Sequence, residues 1–290
     1  MTRKKIRLTA EAVGALVAYR VFGLMPVDLA SALGEWIGRT IGYRLSITRR
    51  ARHNLALAYP EMGSAEREDL LRRMWGNLGR TAAEFPHVHA MPVGPGERIE
   101  LDGMEHVKAA LAKGRGIIFF SAHCGNWEAF GRISTVMGVP LNMVYRAPNN
   151  PGTEWLFVNR GNRGAEMLPK GSKGARRTLE LLRQGKVLGL LLDQKMNDGI
   201  AVPFFGRDAM TAPAVAQFAL KFGCTVLPTH AVRLKGARMR VIVEPPLAVP
   251  ETGDRHAAIF AMMTEINKII EGWVRAHPDQ WLWLHRRWPD

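Results

Sequence analysis

The segment Ser121-Ala122-His123-Cys124-Gly125-Asn126-Trp127-Glu128 carries the residue types and spacing that could do chemistry. It follows an apolar run, Gly116 to Ser121, that reads as a buried strand, and it opens a helical pattern from Asn126 to Met137. In parallel α/β sheets, ligands bind at this strand-to-helix edge. Four residues separate His123 from Glu128, so a histidine at the turn and a glutamate on the first helical turn can meet. A carboxylate bonded to one ring nitrogen fixes the tautomer and raises the basicity of the other. Such a pair is a general base for deprotonating a hydroxyl. Gly125 permits a close backbone approach, and amides at the helix start could bind an anion. The bland alternative is a histidine bonded within a turn, beside a surface glutamate.

Other chemistries find less support. Cys124 adjoins His123, but neighbours on a strand point to opposite sides, and a small thiol is a common core filler. Cys224 follows a helix-ending glycine and reads as core too. Two cysteines make neither a disulfide framework nor a thiolate zinc site, so a reducing, cytosol-facing compartment is expected. His87 and His89 lack a third ligand and read as loop histidines. Lys170-Gly171-Ser172-Lys173-Gly174 with Arg176 and Arg177 reads as a solvated turn that could also touch phosphates. No Walker, Rossmann, nucleophile-elbow or H-E-x-x-H pattern occurs. No metal and no cofactor is expected.

The elements that must position His123 follow from periodicity. With 290 residues, 47% apolar and 23% charged, the chain is an ordinary folded protein rather than a disordered one. Residues 64–83 read as a helix, and the Pro/Gly-rich stretch Met91 to Gly96 as a link. Strands are expected at Ile99–Leu101, Gly116–Ser121, Leu141–Tyr145, Glu166–Leu168, Val187–Leu192, Thr225–Val232 and Arg238–Val243. Helices are expected at Met104–Ala112, Asn126–Met137, Glu154–Asn162, Ala175–Arg183, Pro213–Phe222 and Arg255–Ala276. The alternation implies an α/β fold, a central mostly parallel sheet flanked by helices on both faces, with a final antiparallel strand pair.

The formal charge is +14, which suits an anionic partner. The basic residues are dispersed among acidic ones and no nucleic-acid motif appears, so nucleic acid is not the expected partner. Arg3, Lys4, Lys5 and Arg7 precede an apolar stretch, Ala12 to Met25, that is shorter than the roughly 20 residues of a spanning helix. After Pro26 the apolar pattern resumes to Ile41, and Arg39, Arg44, Arg49, Arg50 and Arg52 follow. Two apolar or amphipathic helices with basic flanks suit a membrane interface; packing as core helices is the alternative. The division expected is a membrane-associated helical region, 1–45, and a main domain, 46–290.

Four blocks carry a family resemblance. His123-x4-Glu128 resembles the H-x4-D/E signature of the lysophospholipid acyltransferase superfamily. Tyr145-Arg146-Ala147-Pro148-Asn149-Asn150-Pro151, Val202-Pro203-Phe204-Phe205-Gly206 and Trp283-Leu284-His285-Arg286-Arg287-Trp288 are similar, in order, to blocks of the lipid A late acyltransferases. Ala147 replaces the usual proline, and Asp193-Gln194-Lys195 replaces a more typical Asp-x-Asp stretch. The resemblance implies an inner-membrane enzyme at the cytoplasmic face. It would move a fatty acyl chain from an acyl carrier protein thioester to a hydroxyl of a lipid A precursor.

It further implies His123 as base and Glu128 as the group that orients it and stabilises its protonated form. Asn126, Tyr145, Arg146, Asn149, Arg160, Arg163, Asp193, Phe205, Gly206 and Arg207 are the positions implied to bind substrate. Phe204, Phe205 and Gly206 would line the acyl channel with Arg207 at its mouth. His285, Arg286 and Arg287 among Trp281, Trp283 and Trp288 fit either a membrane interface or C-terminal packing. The competing functions are transfer to another membrane glycolipid or phospholipid, hydrolysis at the same base, and lipid binding without chemistry.

Overall fold

The chain starts with helices and turns to strands only after the Pro/Gly-rich link. The computed structural model describes residues 3–158, 164–250 and 253–288. Helices α1 (Arg3–Leu24) and α2 (Val27–Thr40) part at Pro26. Helices α3 (Thr48–Ala58) and α4 (Ser64–Glu84) follow. The basic cluster around Arg49, Arg50 and Arg52 conceals α3 in the sequence, because its buried stripe is short: Ala51, Asn54, Leu55 and Ala58. Helices α2 and α4 touch backbone to backbone. A Cβ on Gly38 would lie 1.9 Å from the Trp75 carbonyl oxygen, and one on Gly34 would lie 2.4 Å from that of Gly79. Only glycine fits there, so the helices pack directly on one another.

Alternation then follows as expected: β1 (Ile99–Asp102), α5 (Met104–Ala112), β2 (Ile117–Ser121), α6 (Ile133–Met137), β3 (Leu141–Tyr145), α7 (Trp155–Val158), β4 (Met167–Pro169), α8 (Ser172–Arg183) and β5 (Val187–Leu191). A hairpin, β6 (Ile200–Phe204) and β7 (Arg207–Thr211), precedes α9 (Ala214–Phe222), β8 (Thr225–Arg233), β9 (Met239–Val243) and α10 (Arg255–Ala276). The main sheet has seven strands in the order β1-β9-β8-β2-β5-β3-β4. Of its pairs, β8–β9 is antiparallel and the others are parallel.

Both faces of β2 and β5 are buried, as a parallel sheet requires. Ile118, Phe120, Leu188 and Leu190 face a layer built by α4, α8, α9 and α10. Ile117, Phe119 and Val187 face the layer of α5 and α6. The central strands are therefore fixed in register by apolar side chains on two sides.

Three local differences from the sequence expectation have physical reasons. The helix expected from Asn126 opens as a 3-10 helix, Trp127–Arg132, before α6, a common helix start. The Asn126 side chain accepts the Glu128 N–H at its head. Of the helix expected over Glu154–Asn162, α7 is seen, and residues 159–163 lie outside the described residues. The β6–β7 hairpin was not expected, because its turn is Phe205-Gly206, with φ of 53° and 69°. Two left-handed residues make the turn that matches strand twist, yet phenylalanine is not a turn signal. Phe205 is held there by its N–H donating to Glu271 Oε2 at 2.6 Å and by rings of Tyr59, Phe204 and Trp283 within 6.2 Å.

Candidate active site

Strands β2 and β5 are parallel neighbours with Ser121 opposite Leu191. Each chain runs on by two residues past that pair, to His123 and to Asp193. The Leu192 N–H donates to the Ser121 carbonyl at 2.9 Å, which keeps the two extensions side by side at the carboxyl edge. His123 Nδ1 lies 2.8 Å from Asp193 Oδ1, and the His123 backbone N–H donates to Oδ2 at 3.0 Å. The Trp281 indole N–H donates to the same Oδ2 at 2.9 Å. Asp193 is fully buried.

These contacts decide the protonation states. Burial alone would raise the Asp193 pKa, but the charge and hydrogen bond of His123, with His285 beyond, outweigh it and hold the carboxyl well below its usual range. An ionised carboxylate only accepts. A neutral His123 therefore carries its hydrogen on Nδ1, which leaves the lone pair on Nε2, at the cleft.

That cleft encloses about 490 Å³. His123, Trp127 and Glu128 form one side, Tyr145, Arg146 and Asn149 another, and Lys170, Gln194, Leu282 and His285 complete the wall. The Tyr145 hydroxyl reaches Glu154 Oε1 at 3.2 Å. Two cations, Arg146 and Lys170, thus share a cleft with the candidate base. Among the described residues the Lys170 ammonium makes no hydrogen bond or ion pair.

The C-terminal segment closes the site from behind. The Leu282 N–H donates to the His123 carbonyl at 3.1 Å, and the Gly125 N–H donates to that of Gln280 at 2.9 Å. Gly125 has φ of 58°, and a Cβ there would lie 2.4 Å from the Ala231 carbonyl oxygen. The glycine is needed for conformation and for space.

Several expected site residues sit differently. The carboxylate on the His123 ring nitrogen Nδ1 is that of Asp193; Glu128, expected in that role, lines the same cleft. Asp193 is buried beneath the histidine rather than presented to substrate. Asn126 is also fully buried. Its Nδ2 donates to Glu84 Oε2 at 2.7 Å, so it ties the loop to α4 instead of lining the cleft. Phe205, Gly206 and Arg207 lie at the β6–β7 hairpin and are absent from the cleft wall. Phe204 and Phe205 pack against Trp288, with Phe204 also on Trp281 and Phe205 on Trp283, so they build core rather than a channel open to His123. Arg160 and Arg163 lie outside the described residues.

The C-terminal tryptophans take the packing alternative. Trp281 and Trp283 are 0% exposed and Trp288 is 4%. Arg287 is buried among them, donating to Thr211 Oγ1 and Asn267 Oδ1 at 3.0 Å each. Burial pushes its guanidinium down to about 10. Cys124 and Cys224 are buried, and burial raises both thiols, Cys124 well above the usual range, with Asp193 adding to it. Neither suits a nucleophile.

Sequence reasoning missed Gln194 and His285 as site residues. His285 was legible only as part of the C-terminal block, and Gln194 as a neighbour of Asp193. Burial and the adjacent His123 push His285 down to about 4. His123, Asp193 and His285 form the one cluster among the described residues whose ligand atoms could converge on a metal. The hydrogen bond between His123 Nδ1 and Asp193 accounts for two of its members without an ion.

The known proteins similar to this chain are acyltransferases. The lipid A biosynthesis palmitoleoyltransferase of Escherichia coli is 27% identical over 273 residues, covering 91% of this chain and 86% of that protein. The lipid A biosynthesis lauroyltransferase of the same organism is 28% identical over 268 residues, covering 89% and 83%. The phosphatidylinositol mannoside acyltransferase of Mycobacterium tuberculosis is 28% identical over 194 residues, covering 65% and 59%. The sequence model of the bacterial lipid A biosynthesis acyltransferases matches residues 3–290, and the chain belongs to that family.

Proposed function

We propose that this acyltransferase moves a fatty acyl chain from an acyl carrier protein thioester to a hydroxyl of a lipid A precursor, with His123 as general base. The observation that carries the reading is the Asp193–His123 pair at 2.8 Å, which leaves Nε2 as a lone pair in a cleft that also holds Arg146 and Lys170.

His123 Nε2 takes the acceptor hydroxyl proton as its oxygen attacks the thioester carbonyl. Asp193 keeps the ring in the working tautomer and stabilises the imidazolium. Glu128, in the same cleft, adds negative potential that favours the protonated ring. Arg146 and Lys170 are assigned to the tetrahedral oxyanion or to substrate phosphates. Collapse breaks the carbon–sulfur bond, and the leaving thiolate takes the proton back from Nε2. The products are an ester and a free carrier thiol, and the base is restored.

The surroundings support this substrate pair. A chain of net charge +14 attracts an acidic carrier protein and a phosphorylated sugar. None of the described helices is long and apolar enough to cross a membrane. Helix α1 nevertheless exposes Val13, Leu16, Val17, Val21 and Leu24, and α2 exposes Leu29 and Trp36. With exposed Lys5, Arg7 and Arg20 beside them, these residues suit residence in the lipid interface. The location proposed is the cytoplasmic face of the inner membrane.

The similarity to a phosphatidylinositol mannoside acyltransferase favours one competing acceptor, a mannosylated phospholipid. The test is mass spectrometry of purified protein and its His123→Ala variant with acyl carrier protein thioesters and either an under-acylated lipid A precursor or a mannosylated phosphatidylinositol. One added acyl chain on the lipid A precursor, absent with the variant, is the expected result. Acylation of the mannoside alone would replace the acceptor. Equal transfer by the variant would remove His123 from the mechanism.

A further inference from the structure

His123 Nε2 has a protein neighbour at the cleft wall, the Gln194 side chain. The Gln194 carboxamide nitrogen lies 3.4 Å from His123 Nε2 and 3.2 Å from His285 Nε2. The two imidazoles cross edge to face with centroids 4.8 Å apart. An amide NH2 carries two hydrogens and no lone pair for this purpose. It can serve both rings only if both Nε2 atoms are acceptors. His123 meets that condition because Asp193 holds its hydrogen on Nδ1. His285 meets it if neutral with its hydrogen on Nδ1, and burial beside His123 keeps it neutral near neutral pH.

We infer that Gln194, held by His285, is a positioning residue for the base: it caps the His123 lone pair at rest and turns its carbonyl oxygen to the imidazolium once the proton is taken. The inference rests on His123 acting as the base. A bond of 3.4 Å is long, so an incoming hydroxyl displaces the cap at little cost. After proton transfer, Nε2 becomes a donor and the NH2 group is the wrong partner for it. Rotation of the carboxamide by half a turn presents Oε1 to His123 instead. The same rotation presents Oε1 to His285, on the open cleft wall, which accommodates it by releasing its Nδ1 hydrogen to water and taking one from water at Nε2. Two arrangements of one hydrogen-bond chain thus match the two protonation states of the base.

The charged groups around the pair come from three directions. Asp193 lies behind His123, Glu128, Arg146 and Lys170 stand on the cleft wall, and Arg50 of α3 approaches from the side of His285. None of them contributes an amide rotor, and the effect of Gln194 is separable from their fields by substitution.

The test is the ring-nitrogen NMR titration of histidine-labelled full-length protein in detergent, with His123→Ala used to assign His123. Gln194→Glu replaces a neutral rotor by a fixed acceptor and is expected to raise the His123 titration point by about one unit. The acid limb of the kcat/KM profile should move with it. Gln194→Leu and His285→Leu should each lower kcat about tenfold, and the double variant should lose no more than either alone, since the two act as one unit. KM should stay close to that of the unaltered protein. An unmoved His123 titration in Gln194→Glu, or additive losses in the double variant, would overturn the inference. The NMR titration needs no substrate, so absence of transfer by the unaltered protein would count against the proposed function and leave this result standing.

Discussion

His123 Nδ1 and Asp193 Oδ1 meet at 2.8 Å although they stand 70 positions apart in the chain. The contact exists because β2 and β5 are parallel neighbours in register, so the residues two past each strand end lie side by side. Asp193 Oδ2 is meanwhile held by two N–H donors, from the His123 backbone and Trp281.

Asp193→Asn should therefore invert the tautomer of His123, the proposed base. Those two donors demand an oxygen at the Oδ2 position, which forces the new amide nitrogen towards Nδ1. An NH2 group there requires a lone pair on Nδ1 and puts the ring hydrogen on Nε2, where it cannot accept a proton. Acyl transfer should fall about 10²-fold or more, with a circular dichroism spectrum unchanged. Transfer within about twofold of the unaltered protein would rule Asp193 out as the residue that sets the tautomer.

Glu84 should be a stability hub. It is fully buried at the end of α4. It accepts from Ser31 Oγ and Arg233 Nη1 at 2.6 Å each, and from Asn126 Nδ2 at 2.7 Å. One carboxylate thus joins α2, the β8–β9 hairpin and the loop that carries His123. Glu84→Ala leaves the Arg233 guanidinium, 8% exposed, without its carboxylate, a loss of about 3–5 kcal/mol. Urea unfolding should show it. A loss below about 0.5 kcal/mol would mean that water replaces the carboxylate there.

How much of this was legible in the sequence differs by element. The strands Gly116–Ser121 and Val187–Leu192 were, because a strand buried on both faces is a continuous apolar run. His123 was, because it follows such a run. Asp193 as its partner was not, since the contact depends on which strands are neighbours, and strand order is a tertiary property. The hydrogen-bonded pair expected within one motif, His123 with Glu128, gave way at Nδ1 to one made across the sheet with Asp193. The β6–β7 hairpin hid behind a phenylalanine in a left-handed turn, held there by packing rather than by local preference. Block resemblance placed Phe205 and Arg207 at the acyl channel, but resemblance does not encode which side of a hairpin faces the cleft.

Stability should fall on mild acidification because two histidines are held neutral. Burial, then His277, pushes His230 down to about 4, and burial, then His123, does the same to His285. Both folded values lie below the unfolded value of about 6.5. The unfolded chain therefore binds protons first, and stability declines as pH falls from about 6.5 to about 4, then levels for these two groups. His230 stacks on Trp273 with centroids 4.5 Å apart, so His230→Phe keeps the stack and removes the titration. Urea midpoints for that variant should depend less steeply on pH within this window. An identical slope would show that His230 is not held neutral.

The proposed membrane attachment should depend on the exposed apolar face of α1 more than on its charge alone. Among its ring contacts, α1 uses Tyr19, which packs on Trp155 and Phe85 with centroids 5.2 and 6.1 Å away. That leaves Val13, Val17, Val21 and Leu24 exposed, Leu24 by 88%. Four apolar side chains inserted in an interface contribute several kcal/mol at roughly 25 cal/mol per Å², while each nearby arginine adds about 1 kcal/mol on anionic lipid. Changing those four residues to serine should lower binding to anionic phospholipid vesicles at least about 10²-fold in co-sedimentation. The melting temperature should hold, because the altered side chains support no core. High salt should weaken binding of the unaltered protein only in part, since screening leaves the apolar term intact. If the serine variant binds as tightly as the unaltered chain and salt releases both, attachment is electrostatic and α1 lies off the membrane.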